Sequence, residues 1–373
     1  MKITTLIEKA GAWVRNEGPH GRIVFSSRVR LARNLRGRPF PGWAKKAERI
    51  EVLRSTREAV EALPEMRESY AENLEALSPL DKQILVERHL ISREHAAKGV
   101  GSAVVISSDE ALSVMINEED HLRMQAIGCG LQLEKVYDMI DQADSGLESA
   151  LDYAFHPTLG YLTACPSNVG TGMRASAMLH LPALVMGDQM NKIINSVNKI
   201  GLVVRGLHGE GTEAIGNLFQ ISNQTTLGES EREILSRLNR VIEQIIEHEQ
   251  NARQLLLQHK AVSVLDKVGR AYGVLLHAHS ISSKEALNLL SIIKLGTDVG
   301  LFPQETRPPV DELFISSQPA HLQRKAKVQK MSAEERDTLR AALIRAKLNQ
   351  IPRPNVELVG GSDGSKDPNT HDE

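Results

Sequence analysis

The densest chemistry in this chain lies at Cys165-Pro166-Ser167-Asn168-Val169-Gly170-Thr171-Gly172-Met173-Arg174. Glycines let backbone amides approach a ligand closely, and successive amides in such a turn form an anion-binding concavity. The apolar run Tyr161-Leu162-Thr163-Ala164 reads as a short strand leading in. Arg174 reads as the opening of a helix, Ala175 to Met186, and helix N-termini favour phosphate. A strand-to-helix turn that only needs small residues explains Gly-Thr-Gly alone, but the ten-residue string is more specific. Cys165 has two readings: a small buried hydrophobe at a strand end, or a thiolate favoured by neighbouring arginines.

Other charged residues fall into similar settings. Ile23 to Asn34 predicts a strand, so Arg28 and Arg30 share one face, and two guanidinium forks side by side suit phosphate oxygens. Arg22, Arg33, Arg36 and Arg38 lie nearby, which leaves a solvated basic strand or a nucleic-acid patch as competing readings. Few aromatics interleave with them, which weakens the nucleic-acid reading. Ala103 to Ser107 and Leu112 to Asn117 predict a hairpin that delivers Glu118, Glu119, Asp120, His121 and Arg123 together. An acidic triplet after a buried strand is costly unless exposed or used; a polar loop is the plain alternative. Leu202-Val203-Val204 predicts a buried strand ending at Arg205. The loop behind it, with Gly206, Gly209 and Gly211, carries Glu210, and such loops are common places for chemistry.

Helices must position these segments. Lys2 to Val14, Ala44 to Leu63, most of Met66 to Leu90, Leu131 to Ala150, Met173 to Met186 and Gln189 to Lys199 read as helical, and Leu218 to Asn223 as a strand. Glu229 to Leu257 reads as one long helix, with Leu235, Leu238, Val241, Ile242 and Ile245 as its packing stripe. Ser282 with Glu285, and Ser332 with Glu335, have capping-box spacing, so Val262 to Leu348 reads as a small helical domain. Gly360 to Glu373 has a disordered composition. The chain's 373 residues suffice for two domains. A net charge of −2 gives no overall bias toward nucleic acid or anionic membranes, and no apolar run is long enough for a bilayer. Met1 to Arg15 lacks a signal-peptide core. Cys129 and Cys165 are the only cysteines, which argues against a disulfide scaffold and fits a reducing cytoplasm. No His/Cys cluster has zinc spacing.

The ten-residue string resembles the signature of the phosphagen (guanidino) kinases, with Ser and Val as mild variants. Ser26-Ser27-Arg28-Val29-Arg30, Asn117-Glu118-Glu119-Asp120-His121-Leu122-Arg123 and Arg205-Gly206-Leu207-His208-Gly209-Glu210-Gly211 are similar to further segments of that family. Ser26 to Pro41 and Leu207 to Leu227 have the flavour of its bacterial protein-arginine kinase branch, the McsB type. The resemblance implies an α+β fold: a mainly antiparallel sheet flanked by helices over 1–259, a small all-α domain over 260–350, and a disordered tail over 351–373. It implies ATP with nucleotide-bound Mg2+, held by Arg28, Arg30, His89, Arg123, Arg174 and Arg205, with His89 against adenine. Glu119 becomes the catalytic carboxylate, Glu210 a grip on the substrate guanidinium, and Cys165 a neighbour that tunes its binding.

Small-molecule members carry a helical domain ahead of the catalytic one; here the extra helical part follows. That departure implies a site open at the substrate's amino-acid end, suited to an arginine within a protein. A kinase of a free guanidino compound is the alternative. The resemblance also implies a phosphoarginine-binding regulatory position at Arg336 and Asp337, a homodimer, and product marking for a Clp-type AAA+ chaperone-protease in stress response. An activator protein is a further implied partner. Neither membrane nor nucleic acid is expected as a partner.

Overall fold

The computed structural model describes residues 3, 11, 13, 18–206, 214–328 and 330–355. Of the expected helix at Lys2 to Val14 only residues 3, 11 and 13 are described, and the catalytic candidate Glu210 and the segment 360–373 lie outside the described residues.

Among the described residues, ten strands order the first part: β1 (Val24–Arg33), β2 (Tyr70–Asn73), β3 (Ala103–Ile106), β4 (Leu112–Ile116), β5 (Leu122–Cys129), β6 (Phe155–His156), β7 (Gly160–Tyr161), β8 (Met173–His180), β9 (Leu202–Gly206) and β10 (Leu218–Asn223). Eight of them form one sheet in the order β2-β3-β4-β5-β1-β8-β10-β9, antiparallel at every pairing. Between them run α1 (Lys46–Glu61), α2 (Pro79–Glu87), α3 (Arg93–Ala96), α4 (Leu133–Glu148), α5 (Pro182–Met186) and α6 (Met190–Lys199). The second part is helical: α7 (Glu231–His259), α8 (Ala261–His277), α9 (Ser283–Asp298), α10 (Arg307–Ser316), α11 (Pro319–Lys325) and α12 (Ala333–Leu348). The expected α+β fold with a mainly antiparallel sheet and a helical second part is the one observed.

Strand alternation divides the sheet into two unlike faces. Val29, Leu31, Met124, Ala126, Ala175, Ala177 and Ile221 lie on one face and are buried. Helix α4 covers that face through Leu133, Val136, Ile140 and Leu147, which recur at helical spacing. The other face carries arginines at the centre of the sheet. Toward the β2 edge it is closed by a second apolar cluster of Tyr70, Leu85, Leu90, Ile91, Val104, Ile106 and Met115.

The apolar core continues from the sheet into the helical part without a break, from Val29 and Leu179 through Leu238 and Leu290 to Ile344. Capping residues start the helices where their spacing indicates. Ser332 Oγ accepts the Glu335 N–H at 3.1 Å while Glu335 Oε2 accepts the Ser332 N–H at 2.7 Å. Ser282 Oγ likewise accepts the Glu285 N–H at 3.2 Å. The chain stays pinned as far as Asn355, whose N–H donates to Leu301 O at 2.8 Å.

Two local expectations fail. Met173 to His180 is a strand, not the start of a helix, because it is paired on both sides by β1 and β10. Only Pro182–Met186 of that stretch is helical. Met66 to Leu90 is interrupted by edge strand β2, paired to β3.

Candidate active site

Register concentrates the arginines. Arg28 and Arg30 alternate onto one face of β1; Arg30 faces Gln125 on β5 and Arg174 on β8. Arg123 lies two residues from Gln125, on the same face. On the far side, Met178 pairs with Gln220 and Gln220 with Arg205, so Arg205 belongs to that face too. The sheet thus gathers Arg28, Arg30, Arg123, Arg174 and Arg205. Arg28 Nη2 donates to Gln220 Oε1 at 2.9 Å. Arg30 Nε is buried without a hydrogen-bond partner among the described residues.

The cluster is electrostatically uncomfortable. Burial, then Arg123 and Arg174, lowers Arg28 to about 10. Burial and the same neighbours, with Arg28 added, push Arg30 well below the ordinary range of a guanidinium. Burial and Arg205 lower Arg174. Arg123 alone is raised: its own burial is outweighed by Glu118, with Glu119 and Asp120 adding to it. Packed cations with an orphan donor form a receptor for a multiply charged anion.

The acidic triplet divides into unlike roles. Glu118 is buried, accepts from Ser92 Oγ, and takes Arg123 Nη1 at 2.7 Å. Asp120 Oδ1 accepts from Asn34 Nδ2 at 2.6 Å and from Ala164 N at 2.7 Å. Glu119 is the exposed member, 3.6 Å from Arg123 Nη1. Burial and the Asp120 carboxylate raise its pKa, with Arg123 opposing.

Three neighbouring hollows share these walls. A cavity of about 490 Å³ is lined by Arg28, Arg30, His89, Arg123 and Gln125. Its opposite wall is the helical part, through Ser283, Lys284 and Leu287 of α9 and Gln318-Pro319 at the start of α11. A pocket of about 130 Å³ follows, between Arg30, Arg123, Arg174, Glu119 and Cys165. Glu119 and Arg123 also wall a third, open hollow of about 580 Å³ with Trp43, Glu94 and Lys98. The first volume lies within the ~300–1,000 Å³ typical of ligand sites.

The Cys165 to Arg174 string is not built as its glycines first suggest. Gly170 has φ +111° and a Cβ there would lie 2.1 Å from Thr226 O; Gly172 has φ +63° and a Cβ would meet Ala32 O at 2.7 Å. Both glycines admit neighbouring backbone, not a ligand. Arg174 sits on a strand and opens no helix toward the site. Strand β7 ends at Tyr161, and the chain reaches Cys165 as a loop, with Cys165 Sγ 3.0 Å from Ser167 Oγ.

Elsewhere the basic run near β1 disperses. Arg33 is buried on the apolar face against Asp144 at 2.6 Å, while Arg36 pairs with Asp152 and Arg38 with Glu51. His89, at φ +60°, borders the large cavity and meets the Trp13 ring edge-on at 4.9 Å. Arg336 and Asp337 stand on the first turns of α12, away from the sheet. The Asp337 carboxylate accepts from buried Arg340, and Arg336 has no side-chain partner among the described residues.

Comparison with known proteins fits this geometry. The family model for the ATP:guanido phosphotransferase C-terminal catalytic domain matches residues 51–252, and that for the protein-arginine kinase McsB C-terminal domain matches residues 261–358. The chain is 46% identical over 350 residues to the protein-arginine kinase of Halothermothrix orenii, covering 94% of this chain and all of that one. It is 46% identical over 341 residues to the protein-arginine kinase of Brevibacillus brevis, covering 91% and 95%. The chain belongs to the protein-arginine kinase family. Within the wider phosphagen kinase fold, lombricine kinase superposes with a TM-score of 0.55 at 26% identity, covering 65% of this chain and 70% of that one. The duplicated taurocyamine kinase of Schistosoma mansoni superposes with a TM-score of 0.56 at 29% identity, over 67% of this chain and 35% of that one.

For this protein-arginine kinase, inspection of the sequence names Asp120 and His121 but passes over Asn34, which ties them together. Asn34 joins Asp120 through Nδ2 and accepts the His121 N–H through Oδ1 at 2.9 Å. His121 Nδ1 accepts from Leu35 N, and its Nε2 donates to Pro39 O, both at 3.0 Å. This buried knot ties the Glu119 segment, the Cys165 loop and the chain after β1 together. Asn34 itself gives no sequence signal beyond a polar residue at the end of a predicted strand. A second tie closes the large cavity: Glu87 of α2 accepts from Ala320 N and from His321 Nδ1 at 2.8 Å.

Proposed function

We propose that the chain transfers the γ-phosphoryl group of ATP to the guanidinium of arginine residues in proteins. One observation carries the substrate class. Glu119 walls both the arginine-lined pocket and the open hollow that extends past Trp43. A guanidinium on a protein chain could therefore enter while its backbone stays outside. The family membership supports the phosphoryl transfer itself.

In this reading Arg28, Arg30, Arg123, Arg174 and Arg205 surround the phosphates, and the orphan Nε of Arg30 gains an acceptor. His89 borders the base. The cleft wall is cationic, which fits Mg2+ carried by the nucleotide's own phosphates and water; when bound it adds charge neutralisation. Phosphoryl transfer needs positioning and charge compensation more than covalent help. The free guanidinium has a pKa above ~12, so Glu119 and Glu210 orient it and offset its charge at first. As the N–P bond forms and the O–P bond to ADP breaks, the attacking nitrogen loses its proton to Glu119. Cys165 tunes guanidinium binding and is not the base. The product is phosphoarginine within a protein chain.

The family likeness supports further proposals. The catalytic part spans 1–259, with a helical part over 260–350 and a tail beyond. The protein acts as a homodimer in the cytoplasm, with an activator protein, and marks targets for a Clp-type protease under stress. No described helix is long and apolar enough to cross a membrane. Incubation with labelled ATP, an arginine-rich protein and free arginine tests the central claim. Acid-labile label on the protein is expected; label on free arginine alone would instead favour a free guanidino-compound kinase.

A further inference from the structure

Trp43 is 87% exposed, more than any other large hydrophobic side chain among the described residues. Its backbone is held in place. Trp43 N and Ala44 N both donate to Phe40 O, at 2.8 and 2.9 Å. The segment before it is pinned through Pro39 O and Leu35 N to His121, two residues from Glu119. Trp43 and Glu119 thus border one hollow from elements joined by the same buried knot. At about 580 Å³ the hollow has room for several peptide residues. Glu118 is already committed to Arg123. The wall that remains, Glu94 and Glu119 against Lys98, is acidic on balance and complements a segment bearing arginine.

We propose that Trp43 is a docking residue for the substrate polypeptide, its indole packing on the chain that flanks the target arginine while the guanidinium enters beside Glu119. This rests on the protein-arginine reading above. Tryptophan suits such a contact, because it offers large apolar area with few rotamers to freeze, and exposed aromatic anchors often dominate binding.

The chain's tryptophans are Trp13 and Trp43, and Trp13 is buried against His89. In a Trp13→Phe protein, Trp43 is the sole indole reporter. Titration with an arginine-containing peptide, without nucleotide, should shift its emission; free arginine should not. In the full-length protein, Trp43→Ala should raise KM for a protein substrate about tenfold with kcat and ADP-Mg affinity held, and Trp43→Phe should recover most of the loss. An unmoved KM, or a silent Trp43 on peptide saturation, overturns the docking role. The titration reads docking without turnover. A peptide that shifts Trp43 but gains no label would therefore sink the kinase reading and leave the docking surface standing.

Discussion

Arg30 on β1 stands directly opposite Arg174 on β8. Like charges across an antiparallel ladder are destabilising, by up to ~1 kcal/mol, and this pair lies in a cleft that also holds Arg28 and Arg123. In the proposed function, the nucleotide phosphates relieve this repulsion. Arg30→Met should therefore raise the melting temperature of the nucleotide-free protein by roughly 1–3 °C. It should also abolish the upward shift that ADP-Mg gives the parent. Arg28→Ala should weaken ADP-Mg binding by calorimetry; unchanged nucleotide affinity with lost salt-sensitive RNA binding would instead revive the nucleic-acid reading.

Glu119→Gln keeps the shape of the acid and removes its charge. Turnover on a protein substrate should fall about 100-fold or more, because proton acceptance and charge compensation each contribute on that scale. ADP-Mg affinity should stay within about twofold, since the proposed nucleotide site lies on the arginines. Glu210→Gln should behave alike. A variant of Glu119 with near-parental kcat would remove it from the mechanism.

Asp120 lies beside Glu119 yet should not need its charge. Its Oδ1 accepts both hydrogen bonds, and Oδ2 has no partner among the described residues. An amide can place its carbonyl at Oδ1 and its nitrogen at the orphan position. Asp120→Asn should keep kcat within about threefold. Asp120→Ala leaves buried donors unpaired, at about 1–3 kcal/mol, and should lower both stability and kcat. Equal, severe losses in both variants would mean the carboxylate itself acts.

Acid should unfold the protein partly through His95. It is fully buried, donates Nε2–H to Ala103 O at 3.0 Å, and burial lowers its pKa to about 4. Folding thus favours the neutral ring, while the unfolded chain takes up a proton near the ordinary 6.5. Stability is complete above 6.5 and declines as pH falls toward 4, by up to ~3 kcal/mol. His95→Gln keeps a donor and cannot titrate. Urea midpoints between pH 6.5 and 4 should show a slope smaller by about one proton in the variant; identical slopes would exonerate His95.

A second phosphoarginine site at Arg336 and Asp337 remains a separate proposal. Arg336 has no side-chain partner among the described residues, whereas Asp337 already holds Arg340. Arg340 Nη1 also donates to Ile281 O at 2.7 Å, just before the α9 cap. Replacing Arg336 and Asp337 with Ala should abolish binding of free phosphoarginine and spare ADP binding. Phosphoarginine that binds parent and double variant equally, measured calorimetrically, places the site elsewhere.

Short-period patterns determined much of this protein from sequence alone. Two-residue alternation put Arg28 and Arg30 on one face, apolar runs marked β3 and β4, and cap spacing marked the starts of α9 and α12. The Cys165 string and its companion segments were specific enough to indicate the family. Long-range pairing decided the rest. Met173 to His180 is rich in good helix formers, yet it lies between β1 and β10, and a strand buried on both edges overrides propensity. That pairing carries Arg174 to Arg30. Likewise no local rule separates Glu119 from Glu118 and Asp120. Their difference lies in partners about 26 to 86 residues away in sequence, Ser92 and Asn34, and in backbone from the Cys165 loop. Gly170 and Gly172 look alike in any phosphate-binding turn; only packing against Thr226 and Ala32 gives the physical reason for them.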